Sequence, residues 1–218
     1  MGMADSTLDD MRLALAPAVA RAAVFDGWSE AAVDAAAEEA GVAPELARFA
    51  FRGGAMVLIA AWIARINADM AAALPADMLA ALPVRERIRR LVAFRIDALA
   101  GQEEALRRAL AIMAMPQNAA AALRYGWASA DRMWRLAGDR ATDYNHYTKR
   151  ATLAAVYAAT LAVLADDKSE GRADTHAFLG RRIDGIMRFE KAKARLLKND
   201  GDHFSLARFL GRMRYPAR

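Results

Sequence analysis

Three histidines, at positions 146, 176 and 203, are the only imidazoles in this 218-residue chain, and it contains no cysteine. Catalytic metal sites need clustered ligands, such as His at i and i+4 or the Glu-x-x-His repeats of di-iron bundles. No Glu stands three residues before any of the three histidines. The Gly53-Gly54 pair is followed by Ala-Met-Val, so it lacks the Lys-Ser/Thr ending of a phosphate-cradling loop. No Gly-x-Ser-x-Gly elbow and no thiol nucleophile are present. The chemistry on offer is recognition, so no catalytic residue, metal or cofactor is expected.

The densest recognition chemistry is GDRATDYNHYTKRATLAAVY, residues 138 to 157. Thr142 or Asp143 suits the N-cap of a helix whose apolar stripe is Leu153, Val156, Tyr157, Thr160, Leu161 and Leu164. Continued backward at 100° per residue, that stripe meets Arg150, Lys149 and His146, so the inward face becomes cationic over its first two turns. Unpaired burial of such charges costs several kcal/mol each. This end must therefore reach solvent, an acidic partner or a pocket mouth, or else Lys149 and Arg150 pair with Asp131, Asp139 or Asp143. Trp134, Tyr144 and Tyr147 lie close by, and aromatics with Arg are common anchors of interfaces.

The elements that position these residues are helices. The composition is 56% hydrophobic and only 8% aromatic, weighted to alanine, with no convincing period-two alternation. We expect an all-α protein with helices over Leu8–Val24, Glu30–Ala40, a short one from Pro44, and Ala55–Leu74. A loop over 76–82 is followed by helices over Val84–Ala100, Glu103–Met115, Pro116–Ala137, Asp143–Ala165 and Ala173–Leu197. Ser29 is the expected N-cap and Gly41 the expected C′ residue of the second helix. No apolar run reaches the roughly 18 to 20 residues needed to cross a bilayer.

The opening order of helix, turn, helix, Gly-Gly and long helix resembles the DNA-binding headpiece of TetR regulators. Its third helix, PELARFAF, offers Arg48 as the sole basic group, with Glu45 at its entry and Asp34, Glu38 and Glu39 nearby. Phosphate and base contacts need more positive charge than that, so nucleic acid is not an expected partner.

Net charge is +5, yet residues 188–218 carry nine Lys/Arg against three acids, and the rest of the chain is close to neutral. In this tail Leu206, Phe209, Leu210 and Met213 fall on one helical face, with Arg208 and Arg212 on the opposite flank. That is the pattern of an interfacial membrane helix. Each buried apolar side chain is worth about 1.5–3 kcal/mol at full immersion, and each Arg adds about 1 kcal/mol near an anionic leaflet. Packing on its own core or in a dimer interface are the competing uses. The acidic N-terminus, MGMADSTLDDMRLALA, is unlike a secretory or mitochondrial leader. The expected location is the bacterial cytoplasm, peripherally on the inner membrane.

Large apolar side chains recur at helical spacing in the second half, among them Leu91, Phe94, Ile112, Met113, Met115, Leu123 and Trp127, then Met133, Leu153, Tyr157 and Leu161. Spacing alone does not separate a filled core from a lined cavity. The segments FDGWSEAAVDAAAEEAG, MPQN, TDYNHYTKRATLAAVYA, DDKSEG and RRIDGIMRFEKAKAR resemble the ubiquinone biosynthesis accessory proteins, the ninth Coq protein and its alphaproteobacterial relatives. The likeness covers about residues 18–197 and is most specific over 142–188.

The resemblance implies a TetR-like fold turned to lipid binding, a homodimer, and a ligand that is an isoprenoid quinone intermediate or phospholipid. It also implies presentation of that ligand to the di-iron hydroxylase of the pathway and docking on a membrane surface through the C-terminal helix. On this reading the lipid lining is Leu91, Phe94, Ile112, Met115, Leu123, Trp127, Leu153, Tyr157 and Leu161. The partner patch is Met133, Trp134, Tyr144, Asn145, His146, Tyr147, Lys149 and Arg150. The implied organisation is a headpiece over 1–80, a lipid-binding and dimerisation domain over 81–197, and a membrane-contact helix over 198–218. The family more often has Trp where this chain has His146 and His176, which removes apolar contact area.

Overall fold

The computed structural model describes residues 7–140 and 144–199, with side chains at 7–140, 146–186 and 188. All secondary structure among them is helical: α1 (Leu8–Asp26), α2 (Glu30–Ala40), α3 (Pro44–Ala50), α4 (Ala55–Ala73), α5 (Ala76–Ala80), α6 (Val84–Asp97), α7 (Glu103–Met113), α8 (Ala119–Leu136), α9 (Tyr144–Asp166) and α10 (Ala173–Asn199). By compactness the chain forms two units, Met1–Leu179 and Gly180–Arg218, and α10 runs from the first into the second. The tail residues Leu206, Arg208, Phe209, Leu210, Arg212 and Met213 lie outside the described residues.

Helix α1 begins with a reciprocal cap: Asp10 N donates to Thr7 Oγ1 at 3.2 Å, and Thr7 N donates to Asp10 Oδ2 at 3.1 Å. Pro17 lies inside it. Lacking an N–H, Pro17 leaves the Leu13 carbonyl without its helical donor, and Arg65 Nη1 from α4 donates to that oxygen at 3.3 Å. Met11, Leu15, Val19 and Ala23 form its buried face, packed on α2, α3, α4 and α7.

Ser29 stands at the N-cap of α2 but does not cap it; its hydroxyl donates back to the Asp26 carbonyl at 3.0 Å. Gly41 closes α2 in the left-handed conformation, with Val42 N donating to Ala37 O at 2.9 Å, a Schellman closure. Trp28 is buried against Trp62, centroids 5.0 Å apart, and its indole N–H donates to Ala105 O at 3.0 Å. That contact ties the N-terminal helices to α7.

Helix α4 departs from the expectation that no segment is apolar enough to span a bilayer, since its length and mean hydropathy of 1.4 satisfy that test. Its two charges, Arg65 and Asp69, pair with each other four residues apart at 2.9 Å. In this fold its apolar face, including Leu58, Ile59, Trp62, Ile66 and Met70, packs on α1, α6, α7 and α8.

Two further segments differ from expectation. The loop expected over 76–82 contains α5, started after Pro75 and held by buried Leu79. The chain after α7 turns through a 3-10 stretch, Pro116–Asn118, before α8, because Pro116 cannot continue a helix. Asn118 Nδ2 donates to the Ile112 carbonyl at 2.8 Å.

Gly53 has φ +125°, and an added Cβ would sit 2.8 Å from Val57 Cγ2. Gly41 has φ +65° with open space where a Cβ would go. Gly53→Ala is therefore expected to lose about 2–3 kcal/mol of stability and Gly41→Ala about 1 kcal/mol. Urea denaturation of the two variants measures both, and equal losses would contradict the assignment of strain.

Candidate functional site

Helices α4, α6, α7, α8 and α9 enclose an apolar cavity of about 490 Å³. Its floor is buried: Ile59, Trp62 and Ile66 from α4, Leu106 and Ala109 from α7, and Tyr157 from α9, with Arg95 and Ser129 set among them. Its mouth is formed by exposed Leu123 of α8 and by Ala151, Ala155 and Ala158 of α9. The small residues make the room. Gly126 borders the cavity on α8, and a Cβ placed there would meet nothing within 4 Å.

Of the residues expected to line a lipid site, Leu123, Trp127, Tyr157 and Leu161 border this cavity. Leu91 and Leu153 are buried elsewhere in the core, Phe94 and Ile112 are half-buried outside the lining, and Met115 is exposed beside the Pro116 turn. Sequence reasoning did not find the α4 wall, the alanines of the mouth, or Arg95. A signal for Arg95 existed: Leu91, Arg95 and Leu99 repeat every four residues along the buried stripe of the α6 segment, which puts an Arg at a core position.

The cationic end of α9 is resolved by internal pairing. Arg150 is 2% exposed; its Nε donates to Asp131 Oδ1 at 2.6 Å, and its Nη1 donates to Asp139 Oδ2 at 3.0 Å and to His146 O at 3.1 Å. Lys149 Nζ donates to the other Asp139 oxygen at 2.8 Å and lies 5.4 Å from the Trp134 ring centroid. The Trp134 indole donates to Lys149 O at 3.0 Å. Of the alternatives open in the sequence, pairing with Asp131 and Asp139 is the one adopted, while Asp143 lies outside the described residues. A buried Arg is stable here because two carboxylates and a carbonyl receive its protons.

The partner-patch residues accordingly divide. Met133 and Arg150 are buried inside the chain. Trp134, His146 and Lys149 are half-buried, and Tyr147 is 62% exposed. Tyr144 and Asn145 begin α9, and their side chains lie outside the described ones. His146 and Tyr147 meet edge to face at 5.1 Å, and both rings lie near the Trp127 ring, at 6.4 and 6.1 Å. Trp127 thus joins the cavity wall to the surface at the start of α9. His176 Nε2 lies 3.2 Å from Asp97 Oδ1. Among the described residues no cluster of His, Asp and Glu could hold a metal ion.

Burial pushes the Asp139 carboxyl up, but hydrogen bonds from Lys149 and Arg150 and their charges outweigh it and leave it below its ordinary value. Asp131 is likewise lowered: burial raises it, and Arg150 and Arg135 more than compensate. Depressed carboxylates stabilise the fold above their ordinary value of 3.8, and that contribution is lost as pH falls through the lower folded values. Asp139→Asn is expected to cost about 2–4 kcal/mol at neutral pH, because Arg150 stays buried with one carboxylate fewer. It should also flatten the acid limb of stability, measured by urea unfolding from neutral into acid pH. An unchanged acid limb would contradict the assignment.

A COQ9 family model matches residues 119–190, from the start of α8 into α10. The protein named "Ubiquinone biosynthesis protein COQ9, mitochondrial" of Rattus norvegicus is 40% identical over 95 residues, 44% of this chain and 30% of the relative. Its Homo sapiens counterpart is 39% identical over the same shares. The Drosophila melanogaster COQ9 protein is 26% identical over 190 residues, 84% of this chain and 57% of the relative. The matched chain thus spans between 30% and 57% of the length of these relatives.

Among solved structures, a TetR transcriptional regulator from Nitrosomonas europaea ATCC 19718 superposes with a TM-score of 0.60 at 23% identity, over 80% of this chain and 97% of that one. At that identity the likeness shows the fold alone, and the fold is TetR-like and all-α. The expected bacterial cytoplasmic location is overturned, since these relatives are named as mitochondrial proteins. The α8–α9 pair, with its buried Arg150 network and its aromatic edge, lies within the segment over which this chain is similar to the COQ9 family.

Proposed function

We propose that this chain is a lipid-binding accessory protein of ubiquinone biosynthesis, acting by binding rather than by catalysis. It takes an isoprenoid quinone precursor or a phospholipid into the α4–α9 cavity and presents it to a membrane-associated di-iron hydroxylase. The observation that carries this reading is the cavity itself: about 490 Å³, apolar on nearly every side, and continuous through Trp127 with the Tyr147 surface. Pockets of about 300–1,000 Å³ with apolar linings and few polar groups are typical of small-ligand sites. The names of the relatives supply the pathway.

In this proposal the hydroxylase contacts the Trp134, Tyr144, Asn145, His146, Tyr147 and Lys149 surface, while Met133 and Arg150 support it from beneath. Residues 206–213 contact the membrane surface, and the working form is a homodimer. A DNA-reading role is the weaker reading. Arg48, the one basic group of α3, is held by both oxygens of Asp34 at 2.7 and 2.8 Å, which leaves α3 little positive charge for phosphates.

Two variants test the proposal. Gly126→Leu fills the cavity from α8 and replaces a helical Gly, which costs about 1 kcal/mol relative to better helix formers. It should melt higher than the parent while co-purifying at least about five-fold less lipid, by analogy with ligands lost from filled pockets; lipid extraction and mass spectrometry measure this. Equal lipid in both proteins would sink the cavity reading. Tyr147→Ala should weaken binding to the hydroxylase with stability unchanged, measured by calorimetric titration and thermal melting. Unaltered affinity would remove this surface from the partner site.

A further inference from the structure

Arg95 stands on the floor of the cavity, 1% exposed, where an apolar receptacle has no need of a cation. Its contacts are neutral. Nη1 donates to Asn67 Oδ1, Nη2 donates to Ser129 Oγ at 3.2 Å, and the guanidinium lies 4.7 Å from the centroid of the Tyr157 ring. Its Nε is buried without an acceptor. Among the described residues no carboxylate pairs with it. The other deeply buried arginine, Arg150, has two. Helix α6 has four more arginines, all less buried, so the charge at 95 is not a surface charge trapped by chance of packing.

A buried cation with neutral partners and a donor left over is a site waiting for an anion. A guanidinium also suits oxygen acids in particular, because its planar donors match the oxygens of a carboxylate or phosphate. We propose that the cavity takes a single-chain amphiphile head-first, with an anionic oxygen head group against Arg95 and the hydrocarbon chain running outward to Leu123 and the α9 alanines. The direction follows from burial: Arg95 and Ser129 are on the closed floor, and Leu123, Ala155 and Ala158 are at the open mouth. Tyr157 shields the opposite face of the guanidinium, and Ser129 supplies a second polar group for the head. The inference rests on the proposed lipid-binding role and sharpens it. Within that class of ligand, the cavity favours members with an acidic head, a phosphate-headed lipid or a precursor bearing a carboxylate, over a neutral alcohol.

Trp62 and Trp127 both border the cavity, so tryptophan emission reports its occupancy. Three probes with the same chain decide the matter: dibrominated stearic acid, the corresponding alcohol, and that alcohol's phosphate monoester, each quenching tryptophan when bound. The 218-residue chain should bind one or both anions at least about ten-fold more tightly than the alcohol, the scale of a charge-assisted contact. Whichever anion binds more tightly identifies the source, a fatty-acid-type carboxylate or a phosphate-headed lipid.

In Arg95→Met the preference should vanish while the alcohol still binds; in Arg95→Lys, which keeps the charge but loses the planar fork, part of it should remain. If Arg95→Met fails to show a cooperative helical melt, Arg95→Lys and the parent comparison decide alone. Equal binding of acid and alcohol to the parent protein, or a preference that survives in Arg95→Met, overturns the head-group assignment. Absence of quenching by all three probes overturns the cavity reading as well.

Discussion

The arrangement of the C-terminal half depends on one buried ionic contact. Arg150, on α9, reaches Asp131 on α8 and Asp139 in the connection between the helices. The chain must reverse direction between α8 and α9, and each partner sits at a different point of that reversal. With both carboxylates bound to one guanidinium, the angle of the hairpin is set from inside. The consequences spread outward: Lys149 is placed over Trp134, the His146 and Tyr147 rings are carried to Trp127, and the α9 alanines are held opposite α8. Two features that look separate, a greasy cavity and a polar aromatic surface, are therefore outcomes of the same hairpin.

The cavity is as much a product of small residues as of large ones. Packed helices approach closely where alanine and glycine meet, and a void forms only where neighbouring positions do not fill the space. Along α9, Ala151, Ala154, Ala155 and Ala158 border the cavity, and on α8 Ala122 and Gly126 do. The walls from α4 and α7 are bulky and fix its far side. An alanine-weighted composition, which by itself says only that helices are favoured, here also creates interior volume.

Nine of the ten helices among the described residues, α5 being the exception, were legible in the sequence because glycine and proline signals are local. Gly41 and Pro44 act through their own turn of chain. What escaped was decided by distant contacts. Ser29 has the residue type of a cap, yet its hydroxyl turns to Asp26. Leu91 and Trp127 are equally apolar in the sequence, and only the packing of α4 against α8 puts one in the core and the other on the cavity wall. The pairing of Arg150 was open because its carboxylates lie 11 and 19 residues away. Arg95 was legible in principle, as a charge on an apolar stripe, but its meaning depends on which helices surround it.

The Pro17 and Arg65 contact orders the way this interior can change over time. Pro17 leaves Leu13 with a carbonyl oxygen that no helical donor can reach, and Arg65 answers it from the neighbouring helix. If Arg65 were exchanged first, that half-buried oxygen would lose its donor. If Pro17 were exchanged first for a residue with an amide hydrogen, the helix would close its own ladder and Arg65 would keep Asp69 as its partner. The order of exchange therefore matters: replacing Pro17 first leaves each group with a partner, whereas replacing Arg65 first leaves one oxygen without its donor.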